Sequence, residues 1–151
     1  MPNLPVHFHL AMQIASWLKD TSIKNRLGGM LLGSSTPDIR SLTKWPRERT
    51  HFVPLDISKV GQGVAAMFKD HPELSKQAQI SPATRAFLLG YISHLVADDV
   101  WILELYQPYF GGASSTEEQV RANVLDRALQ LDLDRQARQS LDGMVEVRTF
   151  L

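Results

Sequence analysis

Ala86-Phe-Leu-Leu-Gly90-Tyr-Ile-Ser-His94-Leu-Val-Ala-Asp98-Asp99-Val-Trp-Ile-Leu103 is the longest apolar stretch of the chain. Its only clearly polar side chains are Ser93, His94, Asp98 and Asp99. A helix that is apolar all round is a buried, central one. Charged residues at the centre of a membrane span are costly, so the stretch reads as a core helix rather than a span. His94 and Asp98 are four apart and share a face, one turn above the other. A buried carboxylate beside a buried imidazole needs compensation. Two arrangements supply it: a plain His–Asp hydrogen bond in the core, or a metal ion that takes neutral imidazole and carboxylate oxygen.

Working outward, Ser81-Pro82 is an N-cap followed by a proline in the first turn, so this helix is expected over about 82–106, stopping before Pro108. Pro5 opens a first helix of about 6–19, with Leu10, Ile14, Trp17 and Leu18 at helical spacing. Ser22 caps a second, which carries Ile23, Leu27, Met30 and Leu31 and ends near Gly33. Prolines 37, 46 and 54 exclude a continuous helix over 34–55 and predict a long irregular loop, a feature that is often functional. Val60, Val64, Met67 and Phe68 suggest a helix of about 57–69. Ser115-x-x-Glu118 is a capping box for a helix of about 116–131, with a short one over about 134–146. Val147 to Leu151 is an apolar tail that could tuck into the core or a partner. No segment shows clean strand alternation. The expected fold is all-α: a single-domain bundle, 1–151, of about five to six helices around the central one.

The 151 residues suffice for one domain with a real core. Sixteen basic and sixteen acidic residues leave no bulk electrostatic case for nucleic acid or an anionic membrane. With no cysteine, thiolate metal sites and cysteine nucleophiles are excluded. The amino-terminal stretch lacks a basic region and does not read as a signal peptide, so a cytoplasmic location is expected.

The other histidines bear on the central pair. His7 falls in the first helix and His51 in the long loop, which also holds Asp38. A His/Asp set drawn from several segments is what a nitrogen/oxygen metal site needs. Each residue also has a plainer reading: His7 a helix-start histidine, Asp38 a turn residue, His51 a loop ring. His9, about 200° round the helix from His7, cannot easily share its metal. His71 reads as a surface loop residue, Asp99 as structural or supporting, and Tyr91, three before His94 and near the same face, as packing or as a contact to a ligand. Arg40, Lys44, Arg47 and Arg49 form a basic cluster in the long loop. It is either a solvated loop or a phosphate-recognition patch, since guanidinium groups match phosphate oxygens bidentately.

Val6-His7-Phe-His-Leu, Ser35-Thr-Pro-Asp38, Thr50-His51-Phe and Leu89-Gly90-Tyr-Ile-Ser-His94-Leu-Val-Ala-Asp98 occur in the order seen in the zinc-dependent phospholipase C family of bacteria. Over about residues 1–105 the chain resembles that family, which shares its fold with fungal single-strand nucleases. The resemblance implies an all-helical fold with metal ions on the central helix. It implies the metal ligands His7, Asp38, His51, His94 and Asp98, with Asp98 bridging two ions. One ion would be held by Asp38, His51, His94 and Asp98, the other by His7 and Asp98. Asp38 would also serve as the catalytic base. At the family's third-metal positions this chain has Glu104, and Ala122 with Asp126, so the histidines are missing and one to two ions are expected. Arg40, Arg47, Arg49, Glu104 and Asp126 are the substrate-binding candidates.

These readings converge on a metal-dependent hydrolase, a phosphoesterase resembling the zinc-dependent phospholipases C, that activates water at a divalent ion. Zinc is the first choice; nickel, iron or manganese suit the same donors. The substrate would be a small-molecule or phospholipid-like phosphate ester. The alternative is a metal-binding structural or regulatory protein of the same fold with little catalysis. A His-Asp phosphohydrolase is disfavoured because no His-Asp dipeptide occurs. The apolar terminus and helical surface are compatible with a homodimer.

Overall fold

Helix contacts in this chain begin with two glycines. A Cβ placed on Gly33 would lie 1.9 Å from the carbonyl oxygen of Phe87, and one on Gly90 would lie 1.9 Å from that of Met30. The two helices that carry them therefore touch backbone to backbone. The computed structural model describes residues 1–112 and 114–142, and the tail from Val147 to Leu151 lies outside them. Among the described residues all regular structure is helical, in agreement with the all-α expectation. The helices are α1 (Leu4–Trp17), α2 (Thr21–Lys24), α3 (Leu27–Ser35), α4 (Arg40–Thr43), α5 (Glu48–His51), α6 (Gln62–Asp70), α7 (Pro82–Val100), α8 (Gln107–Phe110) and α9 (Thr116–Asp142).

Helix α7 is the axis. It packs on α1, α2, α3 and α6, and its closest partner is α3. Ala11, Met12 and Ala15 of α1, Ile23 of α2, Met30 and Leu31 of α3, Ala86 of α7 and Leu141 of α9 form the main apolar core. A second cluster joins Met67 of α6 to Leu88 and Leu95 on the other side of α7. The Ser81 cap is as expected: its hydroxyl accepts from the Thr84 amide at 3.0 Å. Pro82–Phe110 is long and apolar enough, by length and composition, to cross a membrane. Here His94, Leu95, Asp98 and Asp99 of that run are buried among the other helices.

Several boundaries differ from the expected ones. The central helix does not stop at Pro108. It widens into a π-helical turn, Trp101–Tyr106, and continues as α8. Proline lacks an amide hydrogen and crowds the carbonyl four residues back; a local change of helical register relieves both. The 34–55 segment is not an irregular loop but a chain of short turns: a 3₁₀ turn at Thr36–Ile39, then α4 and α5. Pro37 lies in the first residues of its turn, where a missing amide costs nothing. Lys44 and Phe52, with φ of 59° and 65°, end α4 and α5 in the left-handed region. The expected second helix is split into α2 and α3, and Asp20 rather than Ser22 provides its cap, accepting from the Ser22 amide at 2.8 Å. Helix α6 starts later than expected, after Gly61 at φ 85°. Helix α9 runs unbroken through 131–134, because no glycine or proline interrupts 116–142.

Because a methyl group at Gly90 would overlap the Met30 carbonyl, Gly90→Ala is expected to lose about 3 kcal/mol or more of stability, or to fail to fold. Chemical denaturation beside wild type checks this. An unchanged midpoint would mean that α3 and α7 separate at little cost.

Candidate metal centre

His7, His51, His94 and Asp98 each expose no more than 2% of the side chain, so four ionisable groups meet in a space closed to water. Helix α1 supplies His7, α5 supplies His51, and α7 supplies His94 and Asp98. Asp38, from the 3₁₀ turn after α3, closes the group from the solvent side with 37% exposure.

The carbonyl of Ser34 lies 2.8 Å from His94 Nδ1. A carbonyl can only accept, so Nδ1 carries the hydrogen and Nε2 keeps its lone pair. His51 is set the same way. The Thr50 hydroxyl donates to the Arg47 carbonyl at 3.4 Å and is left to accept from His51 Nδ1 at 3.0 Å. The two Nε2 atoms then face each other at 3.3 Å with their lone pairs converging. Two converging lone pairs repel unless a proton or a metal ion stands between them. His7 stacks flat on His94, with ring centroids 3.7 Å apart, and neither of its ring nitrogens has a hydrogen-bond partner among the described residues. Asp98 Oδ1 is likewise unpartnered.

A plain His–Asp hydrogen bond between His94 and Asp98 does not form: Nε2 and Oδ2 are 3.8 Å apart. The spacings fit a metal instead. Bonds of about 2.0–2.2 Å in tetrahedral array put neighbouring donors about 3.3 Å apart. Here His51 Nε2 to Asp98 Oδ2 is 3.2 Å, His7 Nε2 to Asp98 Oδ1 is 3.7 Å, and His94 Nε2 to Asp38 Oδ1 is 3.9 Å. Two triads, His7/His94/Asp98 and Asp38/His51/His94, each bring three donor atoms within 4.8 Å of one another. Asp98 turns Oδ1 to His7 and Oδ2 to His51 and His94, the disposition a bridging carboxylate requires. The residues present therefore fit a divalent metal.

Electrostatics favour the same species. Burial, with His94 and His51 adding to it, pushes the His7 pKa down to about 3 against the pull of Asp98. Burial also lowers that of His94, and His51 lowers it further, while Asp98 and Asp38 oppose the shift. Both rings are thus neutral ligands at neutral pH. Burial alone would raise the Asp98 pKa. The Arg47 guanidinium, and the rings of His51, His94 and His7 wherever they carry a proton, outweigh it and hold the carboxyl well below the usual range.

Arg47 is the residue that sequence reasoning placed differently. As a substrate-binding candidate it should face outward. It is instead buried, donating from Nη2 to Asp98 Oδ2 at 3.1 Å and from Nη1 to Met1 Sδ at 2.9 Å. Arg40 is half-buried in the wall of a cavity of about 810 Å³ that Asp38 also lines, and Arg49 is exposed and stacked on Trp45. Glu104 is exposed on the π-helical turn. Asp126 is taken up by Trp101 Nε1 at 3.1 Å and Gln130 Nε2 at 2.7 Å, in the wall of another cavity. Glu104 and Asp126 are thus not brought into the cluster. Tyr91 does more than pack, since its hydroxyl donates to the Thr50 carbonyl and braces the turn that presents His51. Its place one turn before His94 was the available signal. Asp99 is structural: Oδ2 accepts from the Gly61 amide at 2.9 Å and anchors the start of α6. His71 is exposed beside Glu73, as expected of a surface loop.

An all-helical domain that buries a His/Asp cluster of this kind has the donor set of a divalent-metal protein. A sequence model of the family described as zinc dependent phospholipase C matches residues 6–101, which hold all five ligand candidates, and the chain belongs to that family. No curated protein and no solved structure matches it.

A buried neutral imidazole predicts a pH dependence of the metal-free protein. The folded-state pKa of His7, about 3, lies below the ordinary 6.5, so the unfolded chain binds the proton more tightly. The stabilisation is complete above pH 6.5 and is lost as pH falls toward about 3. Thermal unfolding of metal-stripped protein over that range is expected to show a falling midpoint, with a shallower fall in His7→Gln. Equal slopes in the two proteins would contradict the assignment.

Proposed function

We propose that this chain is a phosphoesterase that hydrolyses a phosphate ester of a phospholipid-like substrate, using one to two divalent ions, zinc first. The observation that carries the reading is the asymmetry of the cluster. Three histidines and Asp98 are sealed in the core, whereas Asp38 faces a solvent-filled cavity. A structural site is closed by protein ligands on all sides, and a catalytic one keeps an open position. That openness favours catalysis over the alternative, a structural or regulatory metal protein.

A divalent ion bound here would supply Lewis acidity toward water and the phosphoryl oxygens. The chain's own residues do the rest. Asp38, with one oxygen toward His94 and the other side toward the cavity, is placed to take the proton of the attacking water. Water adds to phosphorus, the ester P–O bond breaks, and the proton passes to the departing alcohol oxygen. Arg40, in the same cavity wall, faces the phosphate. Arg47 works from behind: its fixed charge keeps Asp98 ionised and oriented. Its role is positioning, not substrate contact.

Elemental analysis of protein purified without a metal-binding tag is expected to give one to two equivalents per chain, lost in His94→Ala. Turnover of bis(p-nitrophenyl) phosphate and of phospholipid micelles should fall about 100-fold or more in Asp38→Asn while most of the metal stays bound. Asp98→Asn should lose both metal and activity. Full metal and full turnover in Asp98→Asn would sink the reading. Stoichiometric metal with no turnover of either ester would favour the structural alternative.

A further inference from the structure

The cavity at the mouth of the cluster has an apolar rim. Leu42 is 84% exposed, Leu32 61%, Leu4 44%, Ile39 41% and Trp45 37%, and all five line the cavity that holds Asp38. Large apolar side chains scattered singly over a surface need no explanation. Five around one opening form a contiguous patch, and such patches mark contact surfaces. Leu42 stands furthest out, on the four-residue helix α4, which buries none of its residues.

Basic groups are interleaved with this rim. Arg40 and Lys44 line the same cavity. Arg49 lies over the Trp45 ring, its guanidinium carbon 3.8 Å from the ring centroid, which holds both side chains at the surface. Across 40–49 the only acidic residue is Glu48. The whole chain is electrically neutral, so this bias is local. A second copy is the poorer occupant. A two-fold dimer sets a patch against itself, and that would bring the like charges of Arg40, Lys44 and Arg49 from both copies into one interface. An anionic lipid surface satisfies both parts of the patch: acyl chains for Leu42, Leu32 and Ile39, lipid phosphates for the cations, and the interfacial depth that suits an indole for Trp45.

We propose that the rim formed by Leu4, Leu32, Ile39, Leu42 and Trp45, with Arg40, Lys44 and Arg49, docks this protein on an anionic lipid surface, with the Asp38 cavity facing the headgroups. The docking surface stands on exposure and charge alone. Only its consequence, that the ester is drawn from the lipid surface itself, rests on the phosphoesterase reading.

Co-sedimentation with vesicles of phosphatidylcholine, with and without phosphatidylglycerol, tests it. Sedimentation is completed within minutes in the cold, and lipid phosphorus is assayed before and after so that any lipid consumed is accounted for. Wild type is expected to bind the phosphatidylglycerol vesicles and to be released by high salt. Partitioning should fall about tenfold in Leu42→Asp and about fivefold in Arg49→Ala. Leu42→Asp is expected to keep the metal content, circular dichroism spectrum and thermal midpoint of wild type, which shows that it is folded. Absence of binding to either vesicle, or equal binding by wild type and Leu42→Asp, overturns the proposal. A concentration-dependent dimer that Leu42→Asp dissolves also overturns it, in favour of a second copy on the rim. Vesicle binding lost in Leu42→Asp, with no turnover of any ester by wild type, would uphold the docking surface and remove the phosphoesterase reading. Turnover without vesicle binding would do the reverse.

Discussion

The buried His/Asp cluster depends on a contact that contains none of its own residues. Gly33 and Gly90 let α3 and α7 approach until each backbone fills the space a side chain would take on the other. Ser34 follows Gly33 directly, and His94 lies one turn beyond Gly90. The close approach is what brings the Ser34 carbonyl to 2.8 Å from His94 Nδ1. That hydrogen bond selects the tautomer, and the tautomer aims the Nε2 lone pair at His51, Asp38 and Asp98. A wider helix spacing would leave His94 free to rotate, and a buried imidazole with no fixed orientation is a poor ligand.

The second constraint is charge. Asp98 is nearly inaccessible, and an isolated buried carboxylate is expensive enough to stay protonated. Arg47 is its one ion-pair partner among the described residues whose charge does not depend on pH. A protonated Asp98 would lose both its charge and its capacity to bridge. The buried guanidinium therefore keeps the carboxylate ionised. Its position at the start of α5 also ties the turn that carries His51 to the central helix. The short turns between 36 and 51 do the same work for Asp38. They are too short to hold their shape alone, and Pro37, the left-handed Lys44 and Phe52, and the Tyr91 hydroxyl brace them from several sides.

These parts divide the molecule into a sealed, polar interior and an amphipathic mouth. The interior offers neutral nitrogens and one ionised carboxylate, the donor set of a hard-to-borderline divalent ion. The mouth offers apolar side chains interleaved with cationic ones. The two meet at Asp38, which belongs to the cluster by one oxygen and to the cavity by its exposure.

Much of the fold was legible in the sequence, because it rests on local signals. The helical spacing of α1, the Ser81-Pro82 start of α7 and its apolar circumference depend only on neighbouring residues. The five ligand candidates were legible through short motifs in a recognisable order. What the sequence alone left open is what depends on residues far apart. His94 and Asp98 on one helix allowed either a hydrogen bond or a metal; the 3.8 Å gap excludes the direct hydrogen bond, and the facing His51 adds a donor that fits a divalent ion. Arg47 looked like any other loop cation until burial against Asp98 assigned it inward. Pro37 and Pro108 marked breaks, yet Pro37 opens a 3₁₀ turn and a π-helical turn lets the helix continue through Pro108. Sequence determines which side chains are available and on which face of a helix they stand. Distances of 3–4 Å between α1, α5 and α7 are set by how closely backbones approach, and that follows from the packing of the whole bundle.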